Sequence, residues 1–216
     1  MEGRWAGCGD ALSLRSFGSP LLPLRQRWPV PPGTALKSRD RLRGGPRVPP
    51  PVTLLDMAID PRVDIGHVHL KVADLDRSLA FWTGVLGFEL QQRLGDQAAF
   101  VSAGGYHHHI GLNTWESQGG SPPPPGTTGL YHVAVRYPDR KTLADAVRRV
   151  VDAGIPLEGA SDHGVSEAIY LRDPDGNGVE LYADRRREEW PRTEDGQQVA
   201  MFTRPLDLRA LLADAQ

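Results

Sequence analysis

The sequence predicts an α+β protein in which two βαβββ modules form one cup-shaped mixed sheet with the helices outside. The order of one strand, one helix and three strands occurs twice, with equivalent positions about 65 residues apart. Along the strand-like runs apolar and polar residues alternate, as on half-buried sheets. We expect the paired domain to span residues 62–184, with modules at 64–115 and 129–184 joined by a low-complexity linker at 116–128.

The first module begins with an alternating strand at 65–72, in which valines and a leucine share one face. Asp74 can cap the following helix, whose apolar residues recur every three or four positions until Gly87 ends it. Strand-like runs at 88–94, 98–103 and 106–113 complete the module.

The second module repeats this order. A strand at 130–136 precedes a helix that opens at Pro138-Asp139 and closes at Gly154. Strand-like runs follow at 156–159, 167–172 and 178–183. Between the last two runs, Asp173-Pro174-Asp175-Gly176 predicts a tight hairpin turn, because proline fixes φ and glycine tolerates positive φ.

Strand parity predicts which polar side chains enter the cup, on the assumption that the Val, Leu and Ile faces meet the helices. The residues that this places inside are His67, His69, His107, His109, His132, Tyr170 and Glu180. His108 would instead face the helices beside Ile110.

The inward residues indicate a metal site more strongly than any other function. A single strand histidine is usually structural, but His67 and His132 occupy matching positions of the two modules and share the inner face with Glu180. Two histidines and one carboxylate leave open coordination positions and suit non-haem Fe(II), with Mn(II) and Zn(II) as alternatives.

These motifs resemble a known family. HVHLKVADLDRSLAFW and DPDGNGVEL are similar to the vicinal oxygen chelate superfamily, whose fold is paired βαβββ modules. His163, Ile169-Tyr170, Asp173-Pro174 and Glu180, together with HHHIGLN at 107–113, resemble its type I extradiol dioxygenases, which are catechol 2,3-dioxygenase-like. Ser161 departs from that pattern.

The resemblance implies Fe(II)-dependent ring cleavage of a small aromatic diol with O2. It implies that the iron ligands are His67, His132 and Glu180. Three further roles follow: His109 faces dioxygen, Tyr170 hydrogen-bonds near the substrate oxygen, and His163 is an acid/base or substrate-contacting residue. The structural alternatives are that His163 only closes the hairpin and Tyr170 only fills space.

Three rival functions share this fold. A glyoxalase-like Zn(II) or Ni(II) isomerase or lyase would need a carboxylate near His109, and 106–113 contains none. A fosfomycin-type thiol transferase would not require the pair His163 and Tyr170. A non-catalytic binding or resistance protein would have no use for three metal ligands.

Composition limits the partners. Residues 1–56 carry nine Lys and Arg against four acidic residues, which leaves the rest acidic and argues against a nucleic-acid surface. No apolar run is long enough to cross a bilayer, and Cys8 is the single cysteine, so we expect a cytoplasmic protein. We also expect a homo-oligomer. Trp115 and Trp190 could border either the pocket or a contact between two copies, and the sequence does not choose between these roles.

The two ends differ from the modules. Residues 1–56 are rich in Pro and Arg and predict a disordered extension, with Met57 as the expected natural start. Residues 185–216 predict a polar tail, with a short strand at 199–202 and a helix at 206–212.

Overall fold

Two βαβββ modules follow one another along the chain, as the sequence predicts. The computed structural model describes residues 59–216. The strands of the first module are β1 (Val68–Lys71), β2 (Glu89–Leu94), β3 (Ala98–Ser102) and β4 (Ile110–Asn113). Its helix α1 (Leu75–Leu79) continues into a π-helical segment (Ala80–Val85).

The second module contains α2 (Arg140–Asp152) and the strands β5 (Val133–Tyr137), β6 (Leu157–Asp162), β7 (Ser166–Arg172) and β8 (Gly178–Asp184). A 3₁₀ turn (Arg187–Glu189), β9 (Arg204–Pro205) and α3 (Leu208–Leu212) follow it.

The strands form two sheets, one for each module. Their orders are β1-β4-β3-β2 and β5-β8-β7-β6-β9. Within each module the first and last strands pair in parallel and the remaining pairs are antiparallel. The α+β class and the paired modules are thereby confirmed. The strands are hydrogen-bonded in two sheets rather than one, and β1 and β5 each lie at a sheet edge.

Both module helices begin at the predicted caps. The Asp74 side chain accepts a hydrogen bond from the amide of Arg77 at 2.9 Å. Asp139 forms a reciprocal capping box with Thr142. These side chains satisfy amides that would otherwise lack partners, which explains why each helix starts where it does.

The core lies between the sheets and the helices. Its fully buried members include Trp82, Leu112, Leu143, Val147 and Leu181. They are the apolar positions that the alternation and the helical spacing select, so the predicted helix-facing sides of the strands are buried.

The buried carboxylate of Asp175 joins the two modules. It lies in the hairpin turn between β7 and β8 and accepts hydrogen bonds from the first module. Its partners are the amide of Ala73 (2.8 Å), Nη2 of Arg77 (2.6 Å) and Oγ of Ser78 (3.0 Å). The last hairpin turn of the second module therefore also holds the start of α1.

Several predicted boundaries differ. β4 begins only at Ile110, because the positive φ angles of Gly104 and Gly105 turn the chain just before the histidines. The predicted strand at 199–202 is not formed, and β9 pairs with β6 instead. The predictions for residues 1–56 and for Met57 lie outside the described residues. Within 59–216, no helix combines the length and apolar character that crossing a membrane requires.

Candidate functional site

His132 and Glu180 form the centre of the candidate site. His132 directly precedes β5, and the parallel register of β5 with β8 pairs Ala134 with Glu180. This brings Nε2 of His132 to 2.9 Å from Oε2 of Glu180. The side chain of Glu180 is only 13% exposed, so this contact is largely shielded from solvent.

Gly178, the first residue of β8, permits this close approach. A Cβ atom at this position would lie 2.1 Å from the carbonyl oxygen of Tyr131 and 3.0 Å from Cβ of His132. Any side chain here would therefore push the segment that carries His132 away from β8.

Tyr170 extends the site along the sheet. It is the direct cross-strand partner of Glu180, and its hydroxyl lies 3.3 Å from Oε1 of that residue. Burial, and next the Glu180 carboxylate, raise the pKa of Tyr170 to about 12. Tyr170 is therefore a neutral hydrogen-bond donor at physiological pH.

His163 completes a row of hydrogen-bonding side chains. It lies in the turn between β6 and β7, where its amide donates to the carbonyl of Ser166 at 2.9 Å. Nε2 of His163 lies 2.7 Å from the Tyr170 hydroxyl. The row runs from His163 through Tyr170 and Glu180 to His132, so four residues that the sequence nominated are brought together.

A cavity of about 440 Å³ lies beside this row. Three members of the row line this cavity together with apolar side chains. The lining residues are His163, Val165, Ser166, Tyr170, Glu180, Met201, Phe202 and Thr203. The volume and the mixture of apolar walls with a few polar groups are typical of small-molecule sites.

His67 lies apart from this row, in a group of aromatic rings on the first module. His67 is exposed, and its ring packs against His108 at a tilt of 49°, with ring centroids 4.3 Å apart. His108 also contacts Phe100 at 5.0 Å and His107, with the two Nδ1 atoms 2.7 Å apart. Burial and the neighbouring imidazoles lower the pKa of His108, which keeps this ring neutral near pH 7.

The predicted orientation of His108 is wrong. The prediction assumed that 106–113 is one strand, whereas these histidines precede β4 and do not alternate as strand residues do. The His108 ring therefore lies beside His67 rather than against the helices. His109 stacks on Tyr106, with centroids 4.8 Å apart. Its role toward dioxygen stays a prediction.

The residues present fit a metal ion in part. Ligands on adjacent corners of an octahedron, each bound at about 2.1 Å, lie ~3.0 Å apart. The 2.9 Å separation of His132 and Glu180 matches this value and equally that of a direct hydrogen bond between the two side chains. Across residues 59–216, however, no three His, Cys, Asp or Glu side chains lie close enough together to hold one ion. The expected meeting of His67 with the other two ligands is therefore not found within one chain.

The surroundings of His132 differ from those of a fully built metal ligand. Its Nδ1 atom is buried and has no hydrogen-bond partner among the described residues. A ligating histidine usually donates this second ring N–H to a carbonyl or carboxylate.

Sequence reasoning missed one wall of the cavity. Met201, Phe202 and Thr203 come from the segment before β9, which alternation suggested as a short strand. No motif in the sequence marks these residues. Trp190 anchors the start of the same segment, because its Nε1 donates to the carbonyl of Arg185 at 2.9 Å.

Taken together, the paired modules and the polar row beside a cavity define a class of protein. The model of the Glyoxalase/Bleomycin resistance protein/Dioxygenase superfamily matches residues 64–181. The chain belongs to this superfamily, which confirms the resemblance drawn from its motifs.

Similar proteins include dioxygenases. The chain is 41% identical over 152 residues to the catechol-2,3-dioxygenase of Bacillus subtilis, in a match that covers 70% of this chain and 52% of that protein. It is 32% identical over 130 residues to biphenyl-2,3-diol 1,2-dioxygenase 3 of Rhodococcus globerulus, in a match that covers 59% of this chain and 66% of that protein. The chain thus spans about half to two thirds of the length of these relatives.

A solved structure also matches. The crystal structure of lactoylglutathione lyase from Agrobacterium tumefaciens has a TM-score of 0.46 and 25% sequence identity, and the match covers 57% of this chain and 96% of that chain.

Proposed function

We propose that this chain is an Fe(II)-dependent extradiol dioxygenase that cleaves a catechol-type aromatic diol with O2. The observation that carries the proposal is the row from His163 to His132 beside a cavity of small-molecule size. The likeness to the catechol and biphenyl-diol dioxygenases supports the substrate class. In the reaction both oxygen atoms enter the product and a carbon–carbon bond next to the diol breaks.

His132 and Glu180 hold the ion in this proposal, together with His67. Fe(II) suits two imidazoles and one carboxylate, and Mn(II) suits the same donors. The bound ion would supply the open positions at which the diol oxygens and dioxygen meet.

The remaining side chains act on protons and orientation. Tyr170 is a neutral donor at the wall of the cavity, so it is suited to stabilise negative charge that develops on a substrate oxygen. His163 also lines the cavity, and an imidazole can take the proton that the diol loses and return it later. A hydrogen bond of 2.7 Å between Nε2 of His163 and the Tyr170 hydroxyl holds both side chains at the cavity wall.

The separation of His67 from the other ligands supports a homo-oligomeric site. His67 directly precedes the edge strand β1, and His132 directly precedes the edge strand β5. Edge strands present unpaired amides and carbonyls that can pair with another chain. Large apolar side chains near these edges are exposed, such as Ile65 (90%) and Tyr131 (85%).

A second copy of the chain would supply the missing histidine ligand. In a twofold dimer each contact occurs twice, so the first module of one copy would face the second module of the other at two equivalent places. Each place would then combine His67 of one copy with His132 and Glu180 of the other.

The proposal is tested by iron content together with oxygen uptake. Anaerobically purified protein should bind Fe(II), consume O2 when substituted catechols are added, and form a coloured ring-opened product. His132→Ala should lose both iron and turnover, whereas His107→Ala, on an exposed ring outside the ligand set, should retain iron. Iron-loaded protein that consumes no O2 with any catechol would contradict the proposal, and a lyase or a binding protein would behave in that way.

A further inference from the structure

The chain between β8 and β9 contributes three residues to the wall of the cavity. We define residues 191–203 as the strap. Its first part is a narrow hairpin, with a bridge between Arg192 and Val199 and a hydrogen bond of 2.8 Å from the amide of Ala200 to the carbonyl of Pro191. Its last three residues line the cavity before β9 pairs with β6. The strap is therefore paired with itself in its first part and is continued by a strand that pairs with β6.

Phe202 of the strap holds His163 through two hydrogen bonds. Its amide donates to the carbonyl of His163 at 3.3 Å, and its own carbonyl lies 2.9 Å from Nδ1 of the His163 ring. A carbonyl oxygen only accepts hydrogen bonds, so this contact requires a proton on Nδ1, and the Thr203 hydroxyl, 3.4 Å from the same nitrogen, can act as a second acceptor. In the neutral ring the other nitrogen, Nε2, is then an acceptor, and Tyr170 donates to it.

We infer that the strap is a positioning element, in which the Phe202 main chain selects the His163 tautomer whose Nε2 accepts a proton. Met201 and Thr203 form one wall of the substrate cavity in the same arrangement. The inference rests on the proposed function for its role in catalysis. The selection of the His163 tautomer by the Phe202 main chain does not depend on that function.

The tautomer decides where the single Tyr170 proton goes. The Tyr170 oxygen lies 2.7 Å from His163 and 3.3 Å from Glu180, and one hydroxyl can donate to only one of them. With Nδ1 protonated, the neutral histidine receives this bond. With the ring proton on Nε2 instead, that N–H would donate to the phenol oxygen, and the Tyr170 hydroxyl would donate to Glu180.

Gly164 fits the strap against His163. Its φ angle is +76°, and a Cβ atom there would lie 2.6 and 2.8 Å from Cε1 and Cζ of the Phe202 ring and 2.9 Å from Cγ of Pro191. Arg204 also contacts the Phe202 ring, because its guanidinium lies over the ring at 4.1 Å from the centroid. A methyl group at residue 164 would therefore displace both ends of the strap.

The test compares Gly164→Ala with Gly154→Ala in the full chain. Gly154 has a similar φ of +71°, but a Cβ atom there would meet no atom within 4 Å. The control therefore places an alanine at an equally unfavourable positive φ without a steric clash. The ¹⁵N chemical shifts of the His163 ring report its tautomer in metal-free protein, and His163→Gln identifies the signals. Turnover of a catechol by the iron-loaded protein is measured in parallel.

We expect the Nδ1–H tautomer in the parent protein and in Gly154→Ala. In Gly164→Ala the Nε2–H form should appear and kcat should fall roughly tenfold to a hundredfold, as for a misplaced catalytic group. If Gly164→Ala fails to fold, Phe202→Ala removes the ring that anchors the strap and should shift the tautomer in the same direction.

An Nε2–H ring in the parent protein would overturn the inference, as would a tautomer that neither variant changes. If no catechol is cleaved but the tautomers behave as expected, the proposed function fails and the positioning of His163 by the strap stands.

Discussion

Nε2 of His132, directly before β5, lies 2.9 Å from Oε2 of Glu180 on β8, and these two strands pair in parallel within the second module. This pair is therefore a property of one module and does not depend on how the two modules meet. Its distance depends on the absence of a side chain at Gly178, where the segment before β5 lies closest to β8.

We expect Gly178→Ala to weaken metal binding at least roughly tenfold, since even a small displacement of one ligand costs affinity. Anaerobic titration with Fe(II) measures the effect. Gly84→Ala is the matched control, because a Cβ atom at Gly84 meets no atom within 4 Å. Equal affinity of the two variants would show that the approach of residue 131 to β8 does not position His132.

Tyr170→Phe should retain iron and lose roughly tenfold to a hundredfold in kcat, because it removes a donor at the cavity wall and leaves both ligands in place. Tyr182→Phe, on the neighbouring strand, is the control and should turn over normally. Since the pKa of Tyr170 is about 12, this phenol should stay neutral up to about pH 10 in the metal-free protein, and the difference in ultraviolet absorption between the parent and Tyr170→Phe measures its ionisation. A Tyr170→Phe enzyme with unchanged kcat would leave the residue only a packing role.

The second module was the more predictable part of the site. Alternation along a strand places Tyr170 and Glu180 on one face regardless of tertiary detail, and the proline turn between their strands fixes their register. The structure therefore pairs them directly, as the sequence suggests.

The first module was less predictable. Strand alternation does not apply to His108, because the chain turns at two glycines with positive φ and β4 begins only after the three histidines. Pairing between sheets is also not encoded in local alternation, so the sequence could not show that His67 and His132 lie apart within one chain. The role of Phe202 rests on a main-chain carbonyl, which no residue pattern reveals.

Asp175→Ala should lower the free energy of unfolding by about 2–4 kcal/mol. The carboxylate is buried, and its loss leaves the Ser78 hydroxyl and the Ala73 amide without their partner. We place the value below the full cost of a buried ion pair, since the Arg77 side chain is half exposed. Urea denaturation followed by circular dichroism measures the change.

The control for this variant is Asp184→Ala. Asp184 lies 3.5 Å from Arg136 at the surface, where an ion pair contributes about 0–1 kcal/mol. Similar losses in the two variants would mean that Asp175 does not join the modules.

The proposed sharing of ligands between two copies predicts complementation. His67→Ala and His132→Ala should each be inactive, but refolding them together should restore activity, because a mixed dimer has one site in which both histidines are intact. Random pairing in an equal mixture gives about a quarter of the parent activity for a twofold dimer. Mixing His132→Ala with Glu180→Ala is the control and should restore nothing, since both changes lie on the same side of each site. Recovery in neither mixture, with dimers present, would place the whole ligand set within a single chain.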